Sequence, residues 1–119
     1  MDKIRHLSLK WRVSRAPDTY GYNICTLTDN FTDKEYKCIG GGYDMVGTVF
    51  GHWLQDVYAA RLCQQAAVIK DHYGVSLRGE QVCLNGACGI ESMVKIARTL
   101  DLTIQYDITR GQTIGFFVV

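Results

Sequence analysis

Two glycine-rich runs stand where strand-like sequence gives way to helix-like sequence: Gly40-Gly41-Gly42-Tyr43-Asp44 and Asn85-Gly86-Ala87-Cys88-Gly89. A turn that opens a helix leaves backbone N–H groups unpaired, and missing side chains let a phosphate or other anion approach them closely. Tyr43 adds a ring able to stack on a base, Asp44 a carboxylate able to accept from ribose hydroxyls, and Asn85 an amide that both donates and accepts. The competing reading is that the glycines only make tight turns and that Asp44 complements a helix dipole. Neither run matches GxGxxG or a P-loop. Of the seven arginines, Arg5, Arg12 and Arg15 fall at the first strand, whereas Arg61, Arg78, Arg98 and Arg110 fall at helices or turn tips. Their planar fork suits phosphate, although a turn-tip arginine such as Arg78 or Arg110 is more often simply solvated.

Catalytic and metal signatures are missing. The sequence has no G-x-S-x-G, HExxH or CxxC, and its histidines (His6, His52, His72) show no ligand-like spacing to the five cysteines. No cofactor and no metal are expected, and the cysteines read as reduced, buried thiols. Cys88 alone stands just before a helix, where a thiolate would be favoured; if Asn85-Gly86 is instead a hairpin turn, Cys83 and Cys88 become a cross-strand pair. The polar side of the first strand, His6 with Lys10 and Arg12, offers cations to single-stranded nucleic acid, but Trp11 alternates to the other face, and a solvated face is the plainer reading.

These residues need a scaffold, and the periodicities supply one. LSLKWRV alternates Leu7, Leu9, Trp11 and Val13 against Ser8, Lys10 and Arg12; TYGYNICTL and KEYKCI follow after turns, so residues 6–39 read as a three-stranded antiparallel meander. From Tyr43 to about Gln65 the apolar residues take helical spacing (Val46, Val49, Phe50, Trp53, Val57, Ala60), with Leu54, Tyr58 and Leu62 as a second stripe. That second stripe, together with the Gly47/Gly51 notch, suggests a partner subunit packed on this helix, against the alternative of a helix enclosed in its own domain. Residues 71–84 read as a hairpin, Ile90 to Leu100 as a second helix, and LTIQYDI with TIGFFVV as a terminal hairpin around T-R-G-Q. The predicted order is β-β-β-α-β-β-α-β-β, an α+β fold with a largely antiparallel sheet and two helices on one face. Glu35-x-x-Cys38-Ile39-x-Gly41 recurs as Glu80-x-x-Cys83-Leu84-x-Gly86, marking two similar strand-to-helix turns.

The chain has 119 residues with 13 Lys plus Arg against 12 Asp plus Glu, which suits one domain, residues 1–119, with its own core. A formal charge of +1 makes no case for duplex nucleic acid or an anionic membrane. No apolar run is long enough to span a bilayer, and MDKIRHLSLKW has no apolar h-region or cleavage site, so a cytoplasmic protein is expected.

The stretch YKCIGGGYDMVGTVFGHWL, the meander before it, the LNGACGIESM turn and the terminal hairpin resemble small phage proteins of the Thoeris anti-defence 1 type. That resemblance implies a sponge: a protein assembled from dimers that binds a cyclic ADP-ribose isomer, and in some cases cyclic oligonucleotides, and holds it uncleaved, so that a bacterial immune effector is not activated. It implies an infected-cell cytoplasm and no enzymatic activity. The site expected from it combines Arg61, Arg78 and Arg110 on phosphate, Tyr43 and Tyr73 on base or ribose, and Asp44, Asn85 and Gly86 on hydroxyls and base edges. The rival class is a phage protein that inhibits a host or defence protein by surface contact. A phosphodiesterase is disfavoured by the missing acid, base and metal constellation.

Overall fold

The computed structural model describes residues 4–13, 23–40, 45–73 and 89–119. It has an α+β fold in which five strands, β1 (Arg5–Val13), β2 (Asn23–Asp29), β3 (Glu35–Gly40), β4 (Ile104–Thr109) and β5 (Gln112–Val118), form one sheet in the order β3-β2-β1-β5-β4. Every neighbouring pair is antiparallel. The expected meander is present as β1-β2-β3, and the terminal hairpin joins it by pairing β5 to the free side of β1.

Alternation sorts the strand residues between the faces. Leu7, Leu9, Cys25, Leu27, Tyr36, Ile104 and Phe116 point into the core beneath the helices, and the intervening residues of β1 to β3 stay at least partly exposed. The turn between β2 and β3 is closed by Asp29: its N–H donates to the Lys34 carbonyl (3.0 Å), its carbonyl accepts from the Asp33 N–H (2.8 Å), and its Oδ1 accepts from the Phe31 N–H (2.9 Å). That last bond is an Asx-type turn, and Asp33 takes a left-handed φ of 57°, which aspartate tolerates. Between β4 and β5 the turn has only two residues, Arg110 (φ 54°) and Gly111 (φ 78°), both left-handed as a twisted two-residue hairpin requires.

The helices are α1 (Met45–Val57), α2 (Ala59–Gln64), α3 (Ala66–Tyr73) and α4 (Ile90–Thr99). Two expectations need correction. The single helix expected to run to about Gln65 is interrupted where Tyr58 (φ −119°, ψ 31°) and Gln65 (φ −100°, ψ 12°) leave the helical region. Tyr58 is drawn aside by its partners: its ring lies edge-on to Trp53, with centroids 5.5 Å apart, and its hydroxyl accepts from Arg5. The hairpin expected from Asp71 does not begin there, because Asp71, His72 and Tyr73 complete α3, whose fully buried Ile69 anchors it. The rest of that hairpin lies outside the described residues.

The second apolar stripe is covered within the chain. Leu54 and Leu62 have no exposed surface, Tyr58 is partly buried, and Gly47 and Gly51 are buried too, so this stripe and notch are covered within the chain. Phe50, Trp53 and Phe116 form the centre of the core with Met93, Val94 and Ile96 of α4. No helix among the described residues is long and apolar enough to cross a membrane.

Candidate ligand-binding site

The antiparallel registers assign each feature to one of two ends of the sheet. Arg5 and Ile104 both pair with Val118, which defines one end; Val13, Asn23, Gly40 and the Arg110-Gly111 turn lie at the other. α1 starts five positions after Gly40 and runs back along the sheet until Trp53 and Tyr58 reach Asp29 and Arg5. Its first turn carries no acidic residue. α4 ends at Thr99, close in sequence to the start of β4, so it runs back over that strand, with Glu91 of its first turn acting electrostatically on Tyr106. Its N-cap is Gly89, extended (φ −63°, ψ 163°) and without a side-chain cap; a Cβ there would touch nothing. Both helices therefore open toward the end of the sheet that carries Arg110.

Arg110 is the unusual residue of that end. Left-handed backbone costs an ordinary side chain about 1–2 kcal/mol, and this turn position favours Asn, Asp or Gly. The other non-glycine residues with positive φ, Asp33 and Asp101, are of the tolerant type. Arg110 is exposed, with its guanidinium free of any ion pair among the described residues.

Arg61 is placed differently. Its Nη1 donates to the Leu100 carbonyl (3.1 Å) at the C-terminal end of α4, and its guanidinium lies 5.3 Å from the Tyr58 ring centroid. It thus satisfies a helix-end carbonyl at the Arg5 end of the sheet. β4 alone separates the two ends by roughly 20 Å, so Arg61 and Arg110 of one chain do not meet on one phosphate. Tyr73 closes α3. Tyr43, Asp44, Arg78, Asn85 and Gly86 lie outside the described residues.

Two side-chain clusters had no sequence signal. Asp29, completely buried, accepts from Nε of Arg5 (3.2 Å), the Trp53 indole (3.0 Å) and the Phe31 N–H. Burial alone would raise its pKa, but these hydrogen bonds, with the Arg5 charge, outweigh it and hold the carboxyl below the usual range. The same pairing raises the pKa of Arg5 against the opposing effect of its own burial. Arg5 also lies 5.1 Å from the Phe31 ring centroid and 5.6 Å from that of Trp53. Beside it is an open hollow of about 700 Å³, lined by Ile4, Phe31, Leu102, Phe117 and Val119 among others. Only alternation could have been read from T-D-N-F-T-D, and it does not distinguish a buried aspartate from a turn aspartate.

The second cluster spans three strands on the face turned away from the described helices. His6 Nδ1 lies 3.1 Å from Ser8 Oγ, and His6 Nε2 lies 2.9 Å from Asp107 Oδ2 of β4. Gly115 of β5 lies between them: a Cβ there would sit 2.9 Å from His6 Nε2 and 2.5 Å from the Leu7 carbonyl. The three side-chain types are those of a hydrolytic triad, but the strands around them are joined by backbone ladders and the His6 N–H donates to Asn30 Oδ1 (2.8 Å), so no oxyanion donor is presented to them among the described residues. The cluster is best described as a clip holding edge strand β4 to central strand β1. No protein-family model, curated protein or solved structure matches this chain.

Proposed function

We propose that this chain is a nucleotide-binding sponge of the Thoeris anti-defence type, which captures a cyclic ADP-ribose-like signal and holds it uncleaved in the cytoplasm of an infected bacterium. The observation that carries the reading is Arg110: a cation kept in a left-handed turn position that disfavours it, at the end of the sheet toward which α1 and α4 open. Backbone strain of this kind persists where a side chain is needed, and a guanidinium free of any ion pair among the described residues suits a phosphate-bearing ligand. The wider site takes in Tyr43, Asp44, Tyr73, Arg78, Asn85 and Gly86. Arg61, at the far end of the sheet, joins it only from a neighbouring subunit. A homo-oligomer built from dimers fits that requirement, and the exposed Ile39 and Ile108 on the two edge strands are surfaces on which subunits could pair.

The rival reading, an inhibitor that binds a host or defence protein, draws on the hollow beside Arg5, where Ile4, Phe31 and Val119 are at least half exposed. Incubating the protein with isomers of cyclic ADP-ribose and measuring native masses separates the two. A sponge retains the small molecule and, after heat denaturation, releases it with its mass unchanged. An inhibitor retains none, and an enzyme returns a cleaved product.

A further inference from the structure

The face of the sheet turned away from the described helices carries its own pattern. Lys37 of β3, Thr26 of β2 and Lys10 of β1 are paired in one row, and Arg12 stands one step further along the same side of β1, in a row with Ile24 and Ile39. Lys10, Arg12 and Lys37 are all exposed, and none has an ion-pair partner among the described residues. Neighbouring rows hold Ser8 and Thr28, whose hydroxyls donate or accept. Toward the other end of the face, the Phe117 ring lies 4.7 Å from the His6 ring, centroid to centroid. The acidic residues of this face in these rows are Glu35 at the sheet edge and Asp107, which is already engaged by His6. A chain of almost neutral charge thus concentrates unpaired cations on one open surface.

We propose that this face binds single-stranded nucleic acid, with Lys10, Arg12 and Lys37 on successive phosphates and the His6–Phe117 pair as the platform on which a base stacks. Charge complementarity selects a polyanion. With no helix among the described residues on this face to enter a groove, and with the ring pair on the same surface, a single strand is selected over a duplex. The sequence offered only Trp11 as the aromatic partner of Lys10 and Arg12, on the wrong face; the pairing of β5 with β1 brings Phe117 to the right one. The proposal rests on the cations and rings of this face and does not depend on the cyclic-nucleotide reading.

The test is fluorescence anisotropy of the full chain with a labelled oligouridylate of about 12 nucleotides, within the roughly 4–16 covered by a small β-sheet platform. The expected result is binding whose logarithmic dependence on salt has a slope of about −2, corresponding to three phosphate contacts on a single strand. Lys10→Glu and Lys37→Glu should each weaken it about tenfold or more, whereas Lys70→Glu, on α3, should not. Phe117→Leu keeps an apolar filler and should weaken binding without altering the salt slope. A flat salt dependence, equal affinity for a duplex of the same length, or unchanged binding by both charge reversals would overturn the proposal. So would light scattering that shows the face occupied by a second copy, with Lys10→Glu changing the assembly state.

Discussion

Asp29 shows how much rests on one side chain. Its fully buried carboxylate joins the β2–β3 turn, the largely buried Arg5 guanidinium and the buried Trp53 indole. Replacing Asp29 by Asn leaves Arg5 without its counter-charge, and breaking a buried pair from one side costs about 3–5 kcal/mol. The folded-state pKa of Asp29 is lowered, so its contribution is complete above the unfolded carboxyl value near 4 and is lost as pH falls through the folded value. Urea unfolding of the wild type should therefore weaken with acidification below about pH 4, and Asp29→Asn should show a smaller slope there; equal slopes would remove Asp29 from the account. Arg110 predicts changes of opposite sign. Arg110→Asn relieves left-handed backbone and should raise stability by up to about 1 kcal/mol, while lowering affinity for a phosphate-bearing ligand about tenfold. Thermal unfolding and calorimetry on the same sample measure both, and a variant that gains nothing in stability would show that the turn carries no strain.

At the level of elements, Gly115 permits the junction of β1, β5 and β4. Gly115→Ala drives a methyl into the Leu7 carbonyl and the His6 ring, and should cost about 1–3 kcal/mol. His6→Ala in the same background should recover part of that loss, because it removes one of the two clashing groups; no recovery would mean that the backbone contact dominates. The first strand was legible because a period of two survives in LSLKWRV, the others because aromatic and β-branched residues fill short runs between turns, and α4 because Met93, Val94 and Ala97 keep to one face. The breaks at Tyr58 and Gln65 were not legible. Neither residue is a helix breaker by type, and Tyr58 leaves the helix for tertiary partners, Trp53 and Arg5, that are distant or only locally near in sequence. Leu54 and Leu62 misled for a related reason: a wide apolar arc records burial but not whether a neighbouring helix or another subunit provides it.

Taken as a whole molecule, the protein carries three candidate surfaces: the end of the sheet with Arg110, the hollow beside Arg5, and the face with its cations, the last two meeting at Phe117. Sequence could propose Arg110 as a phosphate contact because its residue type and turn position are both visible in T-R-G-Q. It could not separate Arg110 from Arg61, since the distance between them follows from the direction in which α1, α4 and β4 run. It also missed His6, Ser8 and Asp107 as a group, because two of them become neighbours of the third only when β5 is inserted between β1 and β4. The central claim is intact capture of a cyclic nucleotide, and calorimetry with cyclic ADP-ribose isomers, followed by mass analysis of the ligand released on heating, tests it most directly. The account predicts saturable binding, weakened about tenfold by Arg110→Asn, and recovery of a ligand of unaltered mass. Absence of binding by every isomer, or release of a linear fragment, would contradict it.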